Sequence, residues 1–361
     1  VLSAKNVRII GSGLIGTSIA LALKPVVNSI QMLDNDPGEQ DLANSLIGGN
    51  SFLTSTGTLL QPDLVIIATP QREIFDLLLA EYTQNPESMF MDIGGIKSEL
   101  IDKVEELPDL ARRFCSSHPM AGREFSGSIS AQADLFQGRA WVVIPNRFTT
   151  DEITSTVTEI VAALGATAYF LNSSDHDRAI AEISHLPQII SSVLGATLSE
   201  VSDKALEISG TGLRDVSRLA SSSGQLWADL LINNRNQLLP IVEIYREKLD
   251  EIYEAINRQD DIKIKELFSE AARNRARIPG KHGAKVRDYT YLPVVIEDRP
   301  GQLAALFQEC AQADVNVEDL AIEHSPGQQS GLITLALSSQ DAETLKVHLV
   351  KRGWNAHIPR K

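Results

Sequence analysis

IIGSGLIGTSIA, Ile9 to Ala20, decides how the first part of the chain is read. Asn6 to Ile10 has the apolar character of a short buried strand, and T-S-I-A-L-A-L after Gly16 has that of a helix. Between them Gly11, Gly13 and Gly16 stand at the G-x-G-x-x-G spacing. Gly11 permits a tight turn, Gly13 lets a pyrophosphate approach the backbone, and Gly16 lets the helix sit close to the sheet. The amides that open the helix then face the phosphates. Gly11, Ser12, Gly13, Leu14, Ile15 and Gly16 are therefore candidate cofactor-binding residues. Glycines in any strand-to-helix turn give the same spacing, so the flanking pattern carries the weight.

That pattern continues outward. Ser29 to Leu33 reads as a second strand, and Asp34 follows at roughly the ~20-residue offset of a ribose-binding acid. Asn35 and Asp36 come next, with no arginine for a 2'-phosphate, which favours NAD over NADP. The plainer reading of Asp34 is a turn cap. Asp63 to Ala68 and Ser88 to Ile93 read as further strands, ending at Thr69-Pro70 and Gly94-Gly95. Strand ends of a doubly wound sheet carry the ligand, so Thr69, Pro70, Gly94, Gly95 and Lys97 join the cofactor side.

Arg113 to Ser117 keeps the rhythm, with His118 at the strand's carboxyl end, at the mouth of the sheet. A neutral imidazole there can accept a proton from a hydroxyl as hydride leaves the same carbon. The alternative is a histidine that caps its own turn. Trp141 to Pro145, a helix over Asp151 to Leu164 and a strand over Ala168 to Leu171 complete an α/β Rossmann-type doubly wound domain over residues 1–172.

From Ser173 the pattern turns helical. DHDRAIAEISHLPQIISSVLGATLSEV, Asp175 to Val201, is broken at Pro187; Gly224–Asn234, Gln237–Asn257 and Asp260–Ile278 follow. Such faces build an all-helical bundle, expected over residues 173–282. SGTGLRDVSRLASSSGQLW, Ser209 to Trp227, holds Arg214 and Arg218, and a guanidinium suits bidentate recognition of a carboxylate. A surface ion pair is the competing reading. His185 and Gln188 share a helical face across Pro187.

Ile278-Pro279-Gly280 and Lys281-His282-Gly283 read as a hinge. Residues 289–361 then follow β-α-β-β-α-β: strand Tyr291–Ile296, a helix from D-R-P-G-Q-L to Ala313, strands Asn316–His324 and Gly331–Leu337, helix Asp341–Lys351, and a short strand Ala356–Ile358.

The net charge of -14 over 361 residues argues against nucleic acid and anionic membranes as partners. Cys115 and Cys310, far apart, offer neither a disulfide framework nor metal-ligand spacing, so no metal is expected. The chain enters a strand almost at once and has no apolar run of membrane length, which makes cytoplasmic the expectation.

Together IIGSGLIGTSIA, MDIGGIKSEL, SSHPMAGREFSG, SDHDRAIAEISHLP, GLRDVSRLASSSGQLW and IPGKHG resemble the prephenate/arogenate dehydrogenases of tyrosine biosynthesis, in the form with a C-terminal ACT domain. HPMAG and SHLP are far more specific than the glycine spacing. The resemblance implies NAD-dependent oxidative decarboxylation of a small anionic cyclohexadienyl substrate by a homodimer, with prephenate as substrate and 4-hydroxyphenylpyruvate as product. It implies catalytic roles for His118, Arg218 and His185, with Arg218 holding a substrate carboxylate; Arg214, Arg123 and Gln188 are further candidate substrate-binding residues. It also implies a ferredoxin-like ACT regulatory domain with tyrosine as effector. Arogenate or 4-amino-4-deoxyprephenate dehydrogenation, and a dinucleotide-dependent sensor without turnover, are the other readings.

The chain departs from the family at three places. D-I-G-G-I-K has Gly95 where many members carry a serine that hydrogen-bonds the catalytic histidine; Ser98, Ser116, Ser117 or a water are the candidate substitutes. Gln188 stands in place of a second histidine, and Arg123 in place of a small hydroxyl residue.

Overall fold

The computed structural model describes residues 2–48, 60–121, 127–278, 289–324 and 330–360. They form two compact units, Val1–Glu251 and Ile252–Lys361. Compactness thus divides the chain differently from the change in sequence pattern near residue 172, because the helices that follow are tied by side chains to the sheet. Arg123 and the hinge at 279–283 lie outside the described residues.

The first unit is built on strands β1 (Asn6–Ile10), β2 (Ser29–Leu33), β3 (Leu64–Ile67), β4 (Met89–Asp92), β5 (Phe114–Pro119), β6 (Ala140–Pro145) and β7 (Thr167–Phe170), in the order β2-β1-β3-β4-β5-β6-β7. From β2 to β5 the neighbours are parallel. β6 then runs antiparallel to β5, and β7 parallel to β6, so the doubly wound sheet expected is mixed at one edge.

Alternate residues of the central strands serve opposite faces. Ile66, Met91 and Cys115 join one core layer, and Val65, Ile67, Phe90 and Phe114 the other. This double burial explains why β3 reads L-V-I-I without polar interruption. Burial also pushes the Cys115 thiol pKa up to about 12, as expected of an inert core thiol.

Helices α1 (Leu14–Leu23), α2 (Pro37–Leu46), α3 (Ile74–Gln84), α4 (Ser98–Glu105), α5 (Pro108–Arg112) and α6 (Asp151–Ala163) connect and cover the strands. Asp36 caps α2 by accepting from the amides of Gly38 and Glu39.

Two boundaries bear on function. β5 runs on to Pro119, so His118 lies within the strand, paired with Val142 of β6, rather than beyond its end. The antiparallel neighbour extends the ladder past the point where the parallel rhythm would have stopped. Further on, α7 (Ser173–Ile180) passes through a π turn over Ala181–His185 into α8 (Leu186–Thr197). Pro187 lies in the first turn of α8, where its missing N–H costs little, and the π turn upstream absorbs the change of ladder. Helices α9 (Asp203–Glu207), α10 (Thr211–Ser217) and α11 (Gly224–Asn233) follow, with α12 (Arg235–Asn257) crossing the division between units.

The second unit holds α13 (Asp261–Arg275), then β8 (Thr290–Glu297), α14 (Gln302–Gln312), β9 (Asp319–His324), β10 (Ser330–Leu337), α15 (Ser339–Lys351) and β11 (Asn355–Ala356). Its four strands form an antiparallel sheet in the order β11-β8-β10-β9. Leu292, Val294, Leu306, Cys310, Leu335 and Leu345 make its core. Among the described residues no helix is long and apolar enough to cross a membrane.

Candidate active site

Sequence order reverses direction in the sheet between β1 and β3, and a cavity of about 670 Å³ opens there. Its lining includes Gly11 and Gly13 after β1, Asp34 and Asn35 after β2, and Thr69 and Pro70 after β3. Crevices at such a switch point hold nucleotides in doubly wound folds.

The three glycines differ in what they do. A Cβ at Gly11, where φ is +106°, would lie 2.4 Å from the Ala68 carbonyl oxygen; one at Gly16 would lie 2.0 Å from the Gly11 oxygen. Both are demanded by the packing of α1 on the sheet. Among the described residues, a Cβ at Gly13 would meet nothing within 4 Å. The missing side chain at Gly13 answers no need of the protein itself, and it lines the cavity. Leu14 and Ile15 open α1, whose first amides have no partner one turn earlier.

The Asp34 carboxylate accepts from the amides of Ser12 and Asp36, which fixes it at the rim. The hydroxyls of Ser12 and Thr69 are buried without a partner among the described residues. Two orphaned hydroxyls, an open glycine and a fixed carboxylate fit a bound dinucleotide. Among the described residues the lining has Asp34, Glu39, Glu73 and Glu81 and no Lys or Arg.

Gly94 and Lys97 sit differently. Neither lines this cavity. Lys97 is fully buried, with Nζ 2.6 Å from the Asp92 carboxylate. Burial pulls its pKa down, while Asp92 opposes the shift. Asp92 also accepts from the Gly94 amide and the Ser116 hydroxyl, and its backbone carbonyl accepts from Ser117. The lysine side chain is turned to Asp92 at the end of β4, which gives its charge a buried partner.

His118 stands at the end of β5 on the same edge of the sheet, partly accessible. Its Nδ1 lies 2.9 Å from Nε2 of His176, and Nδ1 of His176 lies 2.8 Å from the Asp177 carboxylate. The two rings meet edge to face with centroids 5.1 Å apart. Asp177 accepts from the amides of Lys97 and Ser98 at the start of α4 as well. Although burial pushes its pKa up, hydrogen bonds from His176, Ser98 and Lys97 outweigh it and hold the carboxylate below its usual range.

The imidazoles are driven the other way. Burial, then the neighbouring His176, Lys97 and His185, hold His118 well below 6.5. His176 is lowered chiefly by burial, against the pull of Asp177. His185 is lowered by burial to about 4. All three are neutral at pH 7.

His185 closes the π turn, with Asn234 Nδ2 3.3 Å from its Nδ1 and the Trp227 ring edge-on at 5.7 Å. Asn234 also donates to the Asp177 carbonyl, so His185 belongs to the same cluster as His118. Gln188 donates to the Leu219 carbonyl and to the Ser192 hydroxyl. That bond ties α8 to the turn Arg218–Ser221, which carries Arg218. Arg218 and Arg214 are both exposed.

Ser116 and Ser117 are engaged with Asp92, not with His118, so neither acts as the substitute expected for a serine at position 95. The histidine's partner is His176, a residue to which the sequence reading assigned no role. The adjacent His176-Asp177 pair inside SDHDRAIAEISHLP was the available signal; only the fold shows that it faces β5, 58 residues earlier. Among the described residues no group of three or more His, Cys, Asp and Glu side chains could hold a metal ion.

Comparison with known proteins bears on the same regions. Residues 19–170 match the family model described as prephenate dehydrogenase, nucleotide-binding domain, and residues 172–270 match prephenate dehydrogenase, dimerization domain. A probable prephenate dehydrogenase of Streptomyces niveus is 27% identical over 97% of this chain and 98% of its own. A cyclohexadienyl dehydrogenase of Zymomonas mobilis is 28% identical over 77% of this chain and 97% of its own. The fold is shared with prephenate dehydrogenase of Aquifex aeolicus, solved with hydroxyphenyl propionate and NAD+, at a TM-score of 0.67 and 24% identity, over 76% of this chain and 98% of that one. Matched in order along its sheet and its helices, the chain belongs to the prephenate dehydrogenase family.

Proposed function

We infer that the protein catalyses NAD-dependent oxidative decarboxylation of prephenate to 4-hydroxyphenylpyruvate. The observation that carries this reading is His118: an uncharged, partly accessible imidazole on the cofactor edge of a matched nucleotide-binding sheet. Its Nε2 has no protein partner among the described residues, so it is open to a substrate hydroxyl.

Bound NAD would supply a two-electron acceptor for hydride. Gly11, Ser12, Gly13 and the first turn of α1 would hold its pyrophosphate, and Asp34 its ribose hydroxyls. Acidic side chains, with no Lys or Arg among the described lining residues, disfavour a further phosphate there. His118 takes the proton of the ring hydroxyl at Nε2 as hydride leaves the same carbon. Loss of carbon dioxide then aromatises the ring, and its electron pair remains on the phenol product. His185 keeps the far wall of the site neutral, and Arg218 engages a substrate carboxylate, with Arg214, Gln188 and Arg123 supporting.

The same family reading makes the protein a homodimer joined through its helical segment. Exposed Ile183, Ile208, Leu226 and Ile232 on that segment supply apolar surface for such an interface. We further propose that the four-stranded sheet and two helices after Tyr289 form an ACT-type regulatory module that binds tyrosine beside the Asp298–Gly301 turn.

Steady-state assays of prephenate and arogenate, each with NAD and NADP, test the central reading. Prephenate with NAD should give the highest kcat/KM. Preference for arogenate would reassign the substrate, equal use of NADP would sink the role of Asp34, and no turnover with either substrate would leave a nucleotide-dependent sensor. A tyrosine titration of full chain and of a chain ending near residue 288 tests the module; inhibition unchanged by truncation would move tyrosine to the active site.

A further inference from the structure

Gly95 has no side chain with which to orient His118, and Ser116 and Ser117 are bonded elsewhere. We propose that His176, held by Asp177, is the positioning residue that fixes the ring and the tautomer of His118. The proposal rests on the reading of His118 as the base.

The tautomers follow one from another along the chain of contacts. Asp177 is ionised and only accepts, so the hydrogen bond at Nδ1 of His176 requires the proton on that nitrogen. Neutral His176 then has a bare Nε2, which only accepts. Nδ1 of His118 must therefore donate, and in the neutral ring Nε2 is left with its lone pair. That is the nitrogen without a partner among the described residues. A carboxylate two residues removed from the reacting atom thus dictates which nitrogen of the base is free.

The anchoring of Asp177 makes the arrangement stiff. Its two oxygens take the amides of Lys97 and Ser98, at the end of the loop that holds Gly95, while its own backbone belongs to α7. His176 is fully buried and His118 has β6 at its back. When Nε2 takes a proton, His118 becomes an imidazolium whose Nδ1–H remains on His176. The Asp177 carboxylate at the far end then opposes the new charge. Among the described residues, Lys97 before α4 and His185 act on His118 together with His176, and His176 in turn feels Asp177 on α7 and Asp92 at the end of β4. Lys97 already has its carboxylate partner in Asp92 at 2.6 Å, which leaves Asp177 to answer the imidazolium.

His176→Leu and His176→Gln, each alone and combined with His118→Asn, test the proposal in the full-length enzyme. His176→Leu should lower kcat on the order of 10²-fold while changing the KM for NAD by less than about threefold. His176→Gln should recover much of that loss, because its side-chain carbonyl can still accept from Nδ1 of His118. In the His118→Asn background, His176→Leu should cost nothing further. Additive losses, or a glutamine variant no better than leucine, would make His176 a packing residue and overturn the idea. Nitrogen NMR of histidine-labelled wild-type protein gives an arm independent of turnover and of variant folding: His118 should carry its proton on Nδ1. Protonation on Nε2 would sink the positioning role outright. A wild-type rate in His118→Asn alone would instead remove the base assignment, and the NMR result would still decide what His176 does.

Discussion

Two glycine turns end strands of the same sheet, after β1 and after β4, and they are glycine-rich for different reasons. At the first, added methyl groups strike backbone: 2.4 Å from the Ala68 oxygen at Gly11 and 2.0 Å from the Gly11 oxygen at Gly16. Backbone cannot move aside without moving the sheet. At the second, a Cβ on Gly95 meets only a Leu230 methyl, at 2.9 Å, the far end of a side chain that can rotate away. The first turn is a requirement of local packing. The second is a place where a side chain was dispensable because other residues, on α7, hold the neighbouring histidine. Glycine at a functional turn thus has two meanings, and the atoms around the missing Cβ tell them apart.

The largest expected effect belongs to the histidine beside the second turn. His118→Asn should lower kcat by roughly 10²–10⁴-fold, about 3–5 kcal/mol in the barrier, with little change in NAD affinity. A fluorescence titration with NAD alongside steady-state rates checks both halves. Parallel loss of binding and rate would mean that the histidine belongs with the cofactor turn, and the contrast between the two turns would disappear.

Acid should affect the two turns unequally. Near the first, no histidine is involved among the described residues; near the second, three are held neutral. The unfolded chain binds protons at histidine near pH 6.5, whereas His185 does so only near 4 in the folded protein, with His118 and His176 shifted in the same direction. The unfolded state therefore binds more protons through this window. Stability is fully present above about pH 6.5 and falls as pH drops toward 4, by at most about 1.4 kcal/mol per pH unit for each histidine. Urea denaturation at pH 7 and pH 4.5 measures this; equal midpoints would show that the cluster charges without cost. The same shifts keep His118 uncharged through neutral pH, so the acid limb of kcat/KM should lie well below 6.5.

Within the first turn, two substitutions of the same size should separate fold from ligand. Gly16→Ala should cost about 3 kcal/mol of stability, since a methyl 2.0 Å from a carbonyl oxygen forces the helix off the sheet. Gly13→Ala should leave the melting temperature almost unchanged and weaken NAD binding, because the methyl enters open space at the cavity. Thermal melts with and without NAD distinguish them. If Gly13→Ala bound NAD normally, the open space at that glycine would have no bearing on the cofactor.

The smallest effect is expected at Gly95→Ala: less than about 1 kcal/mol in stability, with kcat within about twofold of wild type, once the Leu230 methyl turns away. A loss as large as that of Gly16→Ala, read in the same melts, would show that position 95 is as constrained as the first turn.

What the sequence determined by itself were the features governed by neighbours along the chain. The strand over Asn6–Ile10, the glycine spacing, Asp34 after β2, and the β-α-β-β-α-β succession of the tail all depend on local periodicity and backbone conformation, which the residue pattern expresses directly. His118 was recognisable by type and by its place near a strand end. Tertiary structure alone decided the rest. The reversal of β6 comes from pairing between segments with no local signal of direction. Lys97 turned inward because Asp92 offered its charge a buried partner. His118 acquired its partner from α7, 58 residues on, and the acceptor-only carboxylate of Asp177 set the proton positions through it. Hydrogen bonds between remote side chains depend on distances of a few tenths of an ångström, which no spacing in a linear sequence encodes.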